Sequence, residues 1–257
     1  MFRQKGLISP GDYDRFFDFR RFIEAYYSRG TRVSFESLKG SWRYDYQLKG
    51  FLDIYTRCLH HATESGASLV VDLGAGECKY SFVFQDKGIK YVGIDFARGD
   101  PRWNYRGIDV VADITTLPLR DQCLDVVMLS AVLEHIKEPK TLLQEIGRTL
   151  KDKGKLFGIV TFVCEEHQQP YDYFRYTAYG LKHLLNQAGF RNHAVTYGNY
   201  DLVTYAYFAR RFLNLYLRNR FVRKAYNLYF ERVVNRRLNE VDSESTFPLF
   251  YSFVAKK

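Results

Sequence analysis

Cysteine is scarce in this 257-residue sequence, and its positions show no pairing pattern. The four cysteines are Cys58, Cys78, Cys123 and Cys164, with no C-x-x-C pair and no histidine at metal-ligand spacing. The pattern therefore predicts neither a disulfide framework nor a zinc site, and no metal is expected. Free thiols fit a reducing compartment, so we predict a cytoplasmic protein.

Long hydrophobic runs are also missing. The opening residues Met1 to Gly6 contain no apolar stretch of signal-peptide type, and no run of roughly 18 apolar residues occurs. We therefore expect neither a secretory signal nor a membrane-spanning helix. A peripheral position at the inner face of a membrane stays open, because one segment is strongly basic.

Positive charge is abundant but unevenly placed. The net charge is +9, and the segment from Arg210 to Arg237 contains nine basic residues and one acid, Glu231. Aromatic and aliphatic residues recur in the same segment at three-to-four spacing. This pattern predicts one or two amphipathic helices, broken near Asn219.

Four interpretations of the basic segment are open. It can be a helical subdomain that covers a substrate cleft, a dimer interface, a nucleic-acid patch, or a contact with an anionic membrane through residues 208–238. The sequence lacks an appended RNA-binding module and an Asn-Pro-Pro-Tyr type motif, which argues against nucleic acid. A membrane contact would suit a lipid-linked substrate.

The chain divides into zones by its hydrophobic pattern. Residues 1–66 have helical, aromatic periodicity and are predicted to form a lid or extension. From residue 67, short β-branched runs alternate with helical patterns, which is typical of a parallel sheet covered by helices. We expect this domain to run to residue 257, with residues 200–240 as a basic helical insertion before the last strand.

The strongest signal is a buried strand that runs into the glycine turn Asp72-Leu73-Gly74-Ala75-Gly76. Glycine lets the backbone approach a ligand, and a helix beginning after the turn would offer free N–H groups. The next strand ends at Asp95, where a carboxylate can accept hydrogen bonds from ribose, and a third brings Asp113 and Ile114 toward an adenine. A nucleoside cofactor is therefore predicted. A tight turn and helix caps are the purely structural alternatives.

Taken in register with Leu124 to Val127 and Val132 to Ile136, these motifs resemble the class I methyltransferases of type 11, over about residues 66–190. The resemblance implies an α/β, Rossmann-like fold: a seven-stranded, mostly parallel sheet with helices on both faces and an antiparallel last strand. It also implies S-adenosylmethionine as cofactor. The cofactor-binding residues that it implies are Asp72, Gly74, Ala75, Gly76, Asp95, Phe96, Asp113, Ile114 and Ser130.

A second stretch, from Glu165 to Thr177, is similar to one found in methyltransferases of glycan and secondary-metabolite pathways. A hydroxyl acceptor needs a base, and the candidates are His167, with Asp172 orienting it, and His135. An amine or thiolate acceptor needs none, and His135 also has a structural interpretation. The candidate substrate contacts are Tyr171, Tyr173, Arg175 and Tyr176, for which packing and a surface ion pair are the alternatives.

The sequence thus predicts an S-adenosylmethionine-dependent methyltransferase for a small-molecule, sugar or lipid-linked acceptor, with transfer to oxygen favoured. The alternative is a catalytically inactive protein of the same fold that binds the cofactor or docks on a membrane in a regulatory role. Nicotinamide cofactors share the strand, glycine turn and acid. However, Lys79 stands at the third glycine position of their motif, and Asp113 also argues against them.

Overall fold

The computed structural model describes residues 46–257, apart from residues 79, 86, 99–102, 199–200, 217–218, 220, 223, 227 and 230–244. Most of the predicted lid, up to residue 45, therefore lies outside the described residues. The same is true of residues 230–244 of the basic insertion and of Lys79.

Strands alternate with helices along the described chain. The strands are β1 (Leu69–Leu73), β2 (Lys90–Asp95), β3 (Val110–Val111), β4 (Leu124–Ser130), β5 (Leu150–Thr161), β6 (Asn192–Tyr197) and β7 (Phe250–Lys256). The α-helices are α1 (Tyr46–Ser65), α2 (Phe82–Gln85), α3 (Pro139–Thr149), α4 (Ala178–Gln187) and α5 (Asp201–Tyr216). Two 3-10 turns cover Tyr105–Gly107 and Leu133–His135.

The strands form one seven-stranded sheet in the order β3-β2-β1-β4-β5-β7-β6. Strands β1 to β5 are parallel, and β7 is antiparallel to both β5 and β6. The predicted seven-stranded Rossmann-like fold, with its antiparallel last strand, is confirmed. The direction of winding reverses between β1 and β4, so a crevice opens where these two strands end.

Both faces of the sheet are buried, which explains the continuous apolar runs in its central strands. Successive residues point to opposite faces, so Val71 and Val127 pack with α3 and α4, whereas Val70 and Val126 pack with α1 and α2. The described end of the helical pattern predicted over residues 1–66 is thus observed as α1. Its buried face, including Ile54 and Cys58, closes one side of the core.

The structure corrects the expected helix after the glycine turn and shows two further local features. The glycine turn does not lead directly into a helix, because the described helix after it begins only at Phe82. Residue His135 lies in a short 3-10 turn and not early in an α-helix. Strand β3 has only two residues, and β5 begins at Leu150 immediately after α3, with an irregular register before Lys155.

The predicted break in the basic segment is observed. Helix α5 ends at Tyr216, and the side-chain oxygen of Asn219 accepts hydrogen bonds from the backbone N–H groups of Phe221 and Val222, where helical backbone resumes. An asparagine in this position caps a new helix. Within the described part of the chain, no helix combines the length and apolar character that a bilayer crossing requires.

Candidate active site

The glycine turn after β1 has a backbone that favours glycine at two positions. Gly74 has φ +68° and Gly76 has φ +55°, in the left-handed region that costs other residues roughly 1–2 kcal/mol. A Cβ on Gly74 would lie 2.5 Å from Cγ2 of Val132, and one on Gly76 would lie 2.9 Å from the Trp103 ring. The turn is therefore a cradle that side chains would fill.

Asp95, at the end of β2, joins the glycine turn to the neighbouring strand. One carboxylate oxygen accepts a hydrogen bond from the backbone N–H of Gly76 at 2.9 Å, and the other accepts from Ala97 at 2.7 Å. The side chain is nearly buried but still lines a cavity above the strand ends. It is positioned to accept hydrogen bonds from a ligand in that cavity.

This first cavity has a volume of about 480 Å³, within the usual range for small-molecule sites. Phe96 and Tyr171 meet edge to face at its rim, with ring centroids 6.2 Å apart. One oxygen of Asp113 accepts hydrogen bonds from the backbone and hydroxyl of Thr115, so this carboxylate also serves as a turn cap. The sequence-predicted residues in the lining are Gly74, Asp95, Phe96, Asp113, Ile114, His135, Tyr171 and Tyr173.

A second cavity, of about 560 Å³, lies beside the first. The two share the wall residues Gly74, Trp103, Ala131 and Gln168. The sequence-predicted residues in the lining of the second cavity are Gly74, Ala75, Gly76, Ser130 and His167. A ligand in the first cavity can thus lie next to a second ligand in the other cavity, beside the four shared residues.

Asp72 is placed differently from the other predicted cofactor residues. It lies behind the glycine turn and lines neither cavity. Its side chain is buried, and one oxygen accepts hydrogen bonds from the hydroxyls of Tyr55 and Tyr91 at 2.8 and 2.7 Å. Burial raises the pKa of this carboxyl to about 6, while the two hydrogen bonds oppose the rise. A direct cofactor contact by Asp72 stays a prediction, whereas its support of the turn is visible.

The two candidate bases meet although they are distant in sequence. The rings of His135 and His167 stand edge to face, with centroids 4.8 Å apart. Nδ1 of His135 lies 2.7 Å from the backbone carbonyl of Tyr171. Burial lowers the pKa of His135, which favours the neutral imidazole. One ring lines each cavity, so the pair lies at their junction.

The loop that carries His167 is held by an ion pair. Asp172 accepts two hydrogen bonds from Arg175, at 2.6 and 2.8 Å, and a third from the backbone N–H of His167 at 2.8 Å. The guanidinium lowers the pKa of Asp172 to about 2. Asp172 thus fixes the backbone of His167, and its carboxylate is 3.6 Å from the ring Nδ1.

Two of the predicted substrate contacts point into the protein. The remaining N–H groups of Arg175 donate to the backbone carbonyls of Cys164, Glu165 and Phe174. Tyr176 is buried, and its hydroxyl donates to the carbonyl of Leu133. Neither residue lines either of the two cavities described above, whereas Tyr171 and Tyr173 line the first.

The sequence interpretation missed Glu134. This residue is 0% exposed, and neither carboxylate oxygen makes a hydrogen bond of ordinary geometry to a described residue. Burial raises the pKa of Glu134 to about 7, although the hydroxyl of Thr161 and nearby backbone groups oppose the rise. Glu134 and His135 belong to the motif Val132 to Ile136, but no sequence spacing connects them with His167.

The side of the second cavity formed by α5 was also missed. Tyr207 and Arg211 line it, and both contact the side chain of Glu165, through a hydroxyl and an ion pair. The basic helix thus contributes directly to a cavity wall. The sequence showed that this helix is amphipathic, but it did not show which face of the helix contacts the cleft.

Comparison with known proteins agrees with this geometry. Residues 71–158 match the type 11 family model described as "Methyltransferase domain". A demethylmenaquinone methyltransferase of Renibacterium salmoninarum is 37% identical over 91 residues, which are 34% of this chain and 38% of that protein. An uncharacterized methyltransferase of Mycolicibacterium gilvum is 34% identical over 33% of this chain and 36% of its own length. The matched region is therefore little more than a third of these relatives.

A solved structure shows the same fold over a longer stretch. The crystal structure of a SAM dependent methyltransferase from Archaeoglobus fulgidus aligns with 79% of this chain and 94% of its own, with a TM-score of 0.50 and 18% identity. The domain match, the strand order and the glycine cradle agree with one another. Residues 71–158 thus match a methyltransferase domain, and the fold that contains them is that of a class I, S-adenosylmethionine-dependent methyltransferase.

Proposed function

We propose that this protein transfers a methyl group from S-adenosylmethionine to a hydroxyl of a small-molecule, sugar or lipid-linked acceptor. The observation that carries the proposal is the meeting of two cavities at one glycine turn, with a histidine pair at their junction. The first cavity offers a carboxylate and aromatic rings to a nucleoside. The second offers space for an acceptor.

The residues fit the cofactor at several points. The cradle at Gly74 and Gly76 leaves room for the backbone to approach the cofactor, and Asp95 offers acceptors for ribose hydroxyls. When bound, S-adenosylmethionine supplies an electrophilic methyl group on a positively charged sulfur. Ser130 and His167 line the cavity from which an acceptor would approach this group.

Methyl transfer is an in-line displacement, so alignment and exclusion of water are the main tasks of the protein. A hydroxyl must also lose its proton, and His167, which is 28% exposed, is the member of the histidine pair that lines the acceptor-side cavity. Asp172 and Arg175 hold its backbone in place and do not themselves take a proton. Proton transfer to a well-placed histidine contributes roughly 10²–10⁴-fold to a rate.

A small-molecule acceptor is supported by one relative, which is named for demethylmenaquinone. The second cavity also has mixed chemistry, with Tyr207, Arg211 and Glu165 beside apolar residues such as Ile159 and Leu249. Such a lining fits an acceptor with both polar and apolar parts. The position of α5 supports the interpretation that the basic insertion covers the substrate cleft.

We further propose that the outer side of the insertion contacts an anionic membrane, from which a lipid-linked acceptor would enter. Several large apolar side chains here are exposed, including Phe212, Tyr216, Phe221 and Tyr229. Basic residues are interspersed among them, and each lysine or arginine near an anionic surface contributes about 1 kcal/mol. Exposed aromatics beside positive charge favour the boundary between headgroups and acyl chains.

Vesicle sedimentation tests the membrane contact. Phe212→Ser combined with Phe221→Ser should reduce binding to vesicles that contain anionic lipid, and added salt should weaken wild-type binding. Tyr179→Ser, at a ring on α4 that is even more exposed than Phe212 and Phe221, is the control. Equal sedimentation of wild type and double variant would contradict the contact, and a change in oligomeric state would assign the face to a second copy.

Two measurements test the catalytic proposal. Calorimetric titration with S-adenosylhomocysteine should show binding, since the product occupies the site without reacting. Incubation with methyl-labelled cofactor and a metabolite extract should then label an acceptor. Binding without labelling across hydroxyl-bearing acceptors would favour the inactive, regulatory alternative. Absence of binding would refute methyl transfer and a cofactor-binding regulatory role, and would leave only a membrane-docked regulatory protein.

A further inference from the structure

Glu134 is a buried carboxylate whose oxygens lack a hydrogen-bond partner of ordinary geometry in the part of the chain that the structure describes. Its burial is complete. The nearby guanidinium of Arg175 is already paired with Asp172. An uncompensated buried carboxylate costs several kcal/mol, which a bound cation would offset.

The histidine pair offers two unprotonated ring nitrogens beside this carboxylate. Nδ1 of His135 lies 2.7 Å from the carbonyl of Tyr171, and Nδ1 of His167 lies 3.0 Å from the carbonyl of Glu165. A carbonyl can only accept, so these contacts favour a proton on Nδ1 of each ring and a lone pair on Nε2. An N–H of Arg175 also lies near Nδ1 of His167, but at 3.4 Å it is farther away than the carbonyl of Glu165. Nε2 of His135 is buried and, like Glu134, has no partner among the described residues.

The three side chains converge. One ligand atom from each of Glu134, His135 and His167 can be chosen so that all lie within 4.8 Å of one another. Ligand atoms about 2.0–2.2 Å from a shared cation stand roughly 3–4 Å apart, so small side-chain rotations would close the set. We propose that Glu134, His135 and His167 bind a divalent transition-metal cation.

The ligand types and their surroundings support this assignment. Two imidazoles and one carboxylate are a known set for catalytic zinc and for ferrous iron, with positions left open for a further ligand. Metal-binding histidines usually donate their other N–H to a carbonyl or carboxylate. Here Nδ1 of each ring lies within hydrogen-bond distance of a backbone carbonyl. The Asp172–Arg175 pair holds the loop of His167 from behind. The proposal replaces the sequence expectation of a metal-free protein.

The location suggests what the cation would do. His135 lines the first cavity and His167 the second, so the cation would sit at the junction of cofactor and acceptor. An acceptor hydroxyl bound at an open position would be acidified: its O–H bond breaks, the proton goes to water, and the oxygen keeps the electron pair. This role rests on the proposed methyl transfer and would replace His167 as a base, whereas cation binding itself does not depend on it.

The test is a calorimetric titration of Zn²⁺ into the metal-stripped, full-length protein, with Co²⁺ absorption as a spectroscopic readout. We expect one tight site, which Glu134→Gln and His167→Gln should each weaken more than the roughly 10–100-fold that loss of an outer contact costs. The matched control is His60→Gln, which removes a surface histidine that lies 3.2 Å from Glu64. It should leave the tight site intact.

Each outcome separates the two proposals. Unchanged Zn²⁺ affinity in both variants, absence of tight binding, or loss of binding in His60→Gln would overturn the metal site. If Glu134→Gln does not fold, His167→Gln decides, because its ring is partly exposed. The affinity for S-adenosylhomocysteine, measured by titration, should be the same in the wild type and the variants. If the wild type does not bind S-adenosylhomocysteine, the methyl-transfer proposal fails, while the result of the metal titration is still valid.

Discussion

The first cavity and the Glu134–His135–His167 cluster lie side by side, but they are assembled in different ways. The cavity takes Gly74, Asp95 and Asp113 from the ends of three strands in succession. The cluster joins a 3-10 turn after β4 to a loop after β5, about thirty residues further along the chain. Each cofactor feature is therefore marked by its own strand end, whereas the acceptor side depends on loops that the sheet brings together.

Their electrostatics differ as well. Both oxygens of Asp95 accept backbone hydrogen bonds, while those of Glu134 lack ordinary partners among the described residues. A satisfied carboxylate maintains a preformed site, and an unsatisfied one calls for a further ligand. Variants on the two sides should therefore affect separate measurements: cofactor affinity for the first, and turnover or metal affinity for the second.

The largest expected effect is on the acceptor side. His167→Gln should lower turnover roughly 10²–10⁴-fold, whether the ring acts as base or ligand. Cofactor affinity should change little, because the His167 ring lies outside the first cavity. The hydrogen bond between His167 and Asp172 should also survive, because it is donated by the backbone N–H of His167 and not by its ring. Kinetics and S-adenosylhomocysteine titration check this, with His183→Gln as control. If His167→Gln reduced turnover and cofactor affinity by equal factors, the cofactor side and the acceptor side would not be functionally separate.

On the cofactor side, Gly74→Ala should destabilise the protein by about 3 kcal/mol and abolish cofactor binding. The variant combines left-handed backbone strain with a clash against Val132. Urea unfolding measures the loss. Adding Val132→Ala should relieve the clash but not the strain. The control is Gly147→Ala in α3, where a Cβ meets nothing within 4 Å, and a stabilisation of up to about 1 kcal/mol is expected.

Asp95→Asn should weaken S-adenosylhomocysteine binding roughly 10- to 150-fold, the usual range for a hydrogen bond to a charged group. Turnover at saturating cofactor should fall much less. Asp109→Asn is a close control, because Asp109 also accepts a backbone N–H, from Gly93 at 2.8 Å, but lies outside both cavities. If the two variants have equal cofactor affinities, Asp95 does not bind ribose.

A substitution of Asp72 tests how its buried carboxyl, below the glycine turn, contributes to the stability of the fold. Its pKa is raised to about 6, so between about pH 4 and 6 the folded state binds more protons than the unfolded state. Stability contributed by the protonated form is lost as pH rises through this window. Asp72→Asn should remove this loss of stability, which is on the order of 3 kcal/mol. Unfolding at several pH values checks it, and Asp125→Asn, at an exposed partner of Lys151, should leave the slope unchanged.

The smallest predicted effect is at the rim of the first cavity. Phe96 is 44% exposed and meets Tyr171 edge to face, so it would cover only part of an adenine. Phe96→Ala should weaken S-adenosylhomocysteine binding about fivefold, near the lower limit for stacking on a base. Tyr179→Ala is the exposed aromatic control. A loss as large as that of Asp95→Asn would mean that the ring, and not the carboxylate, dominates recognition.

Local signals in the sequence predicted a parallel sheet covered by helices and the cofactor turn, and the resemblance to a known family implied the antiparallel last strand. Short β-branched runs specify strands, and Gly74 and Gly76 specify a turn by their backbone freedom. The sequence also located the helix break at Asn219. Strand β3 and the start of β5 were less predictable, because hydrogen bonding with neighbouring strands decides where a strand begins and ends.

Tertiary structure alone decided which candidates share a site. It directed Arg175 and Tyr176 into the protein, placed Asp72 behind the turn, and brought Glu134 beside two histidines that no spacing rule connects. Such convergence depends on how loops fold across the strand ends, and periodicity carries no information about it. The sequence by itself therefore determined the fold and the cofactor turn, while the chemistry at the acceptor side was decided by long-range packing.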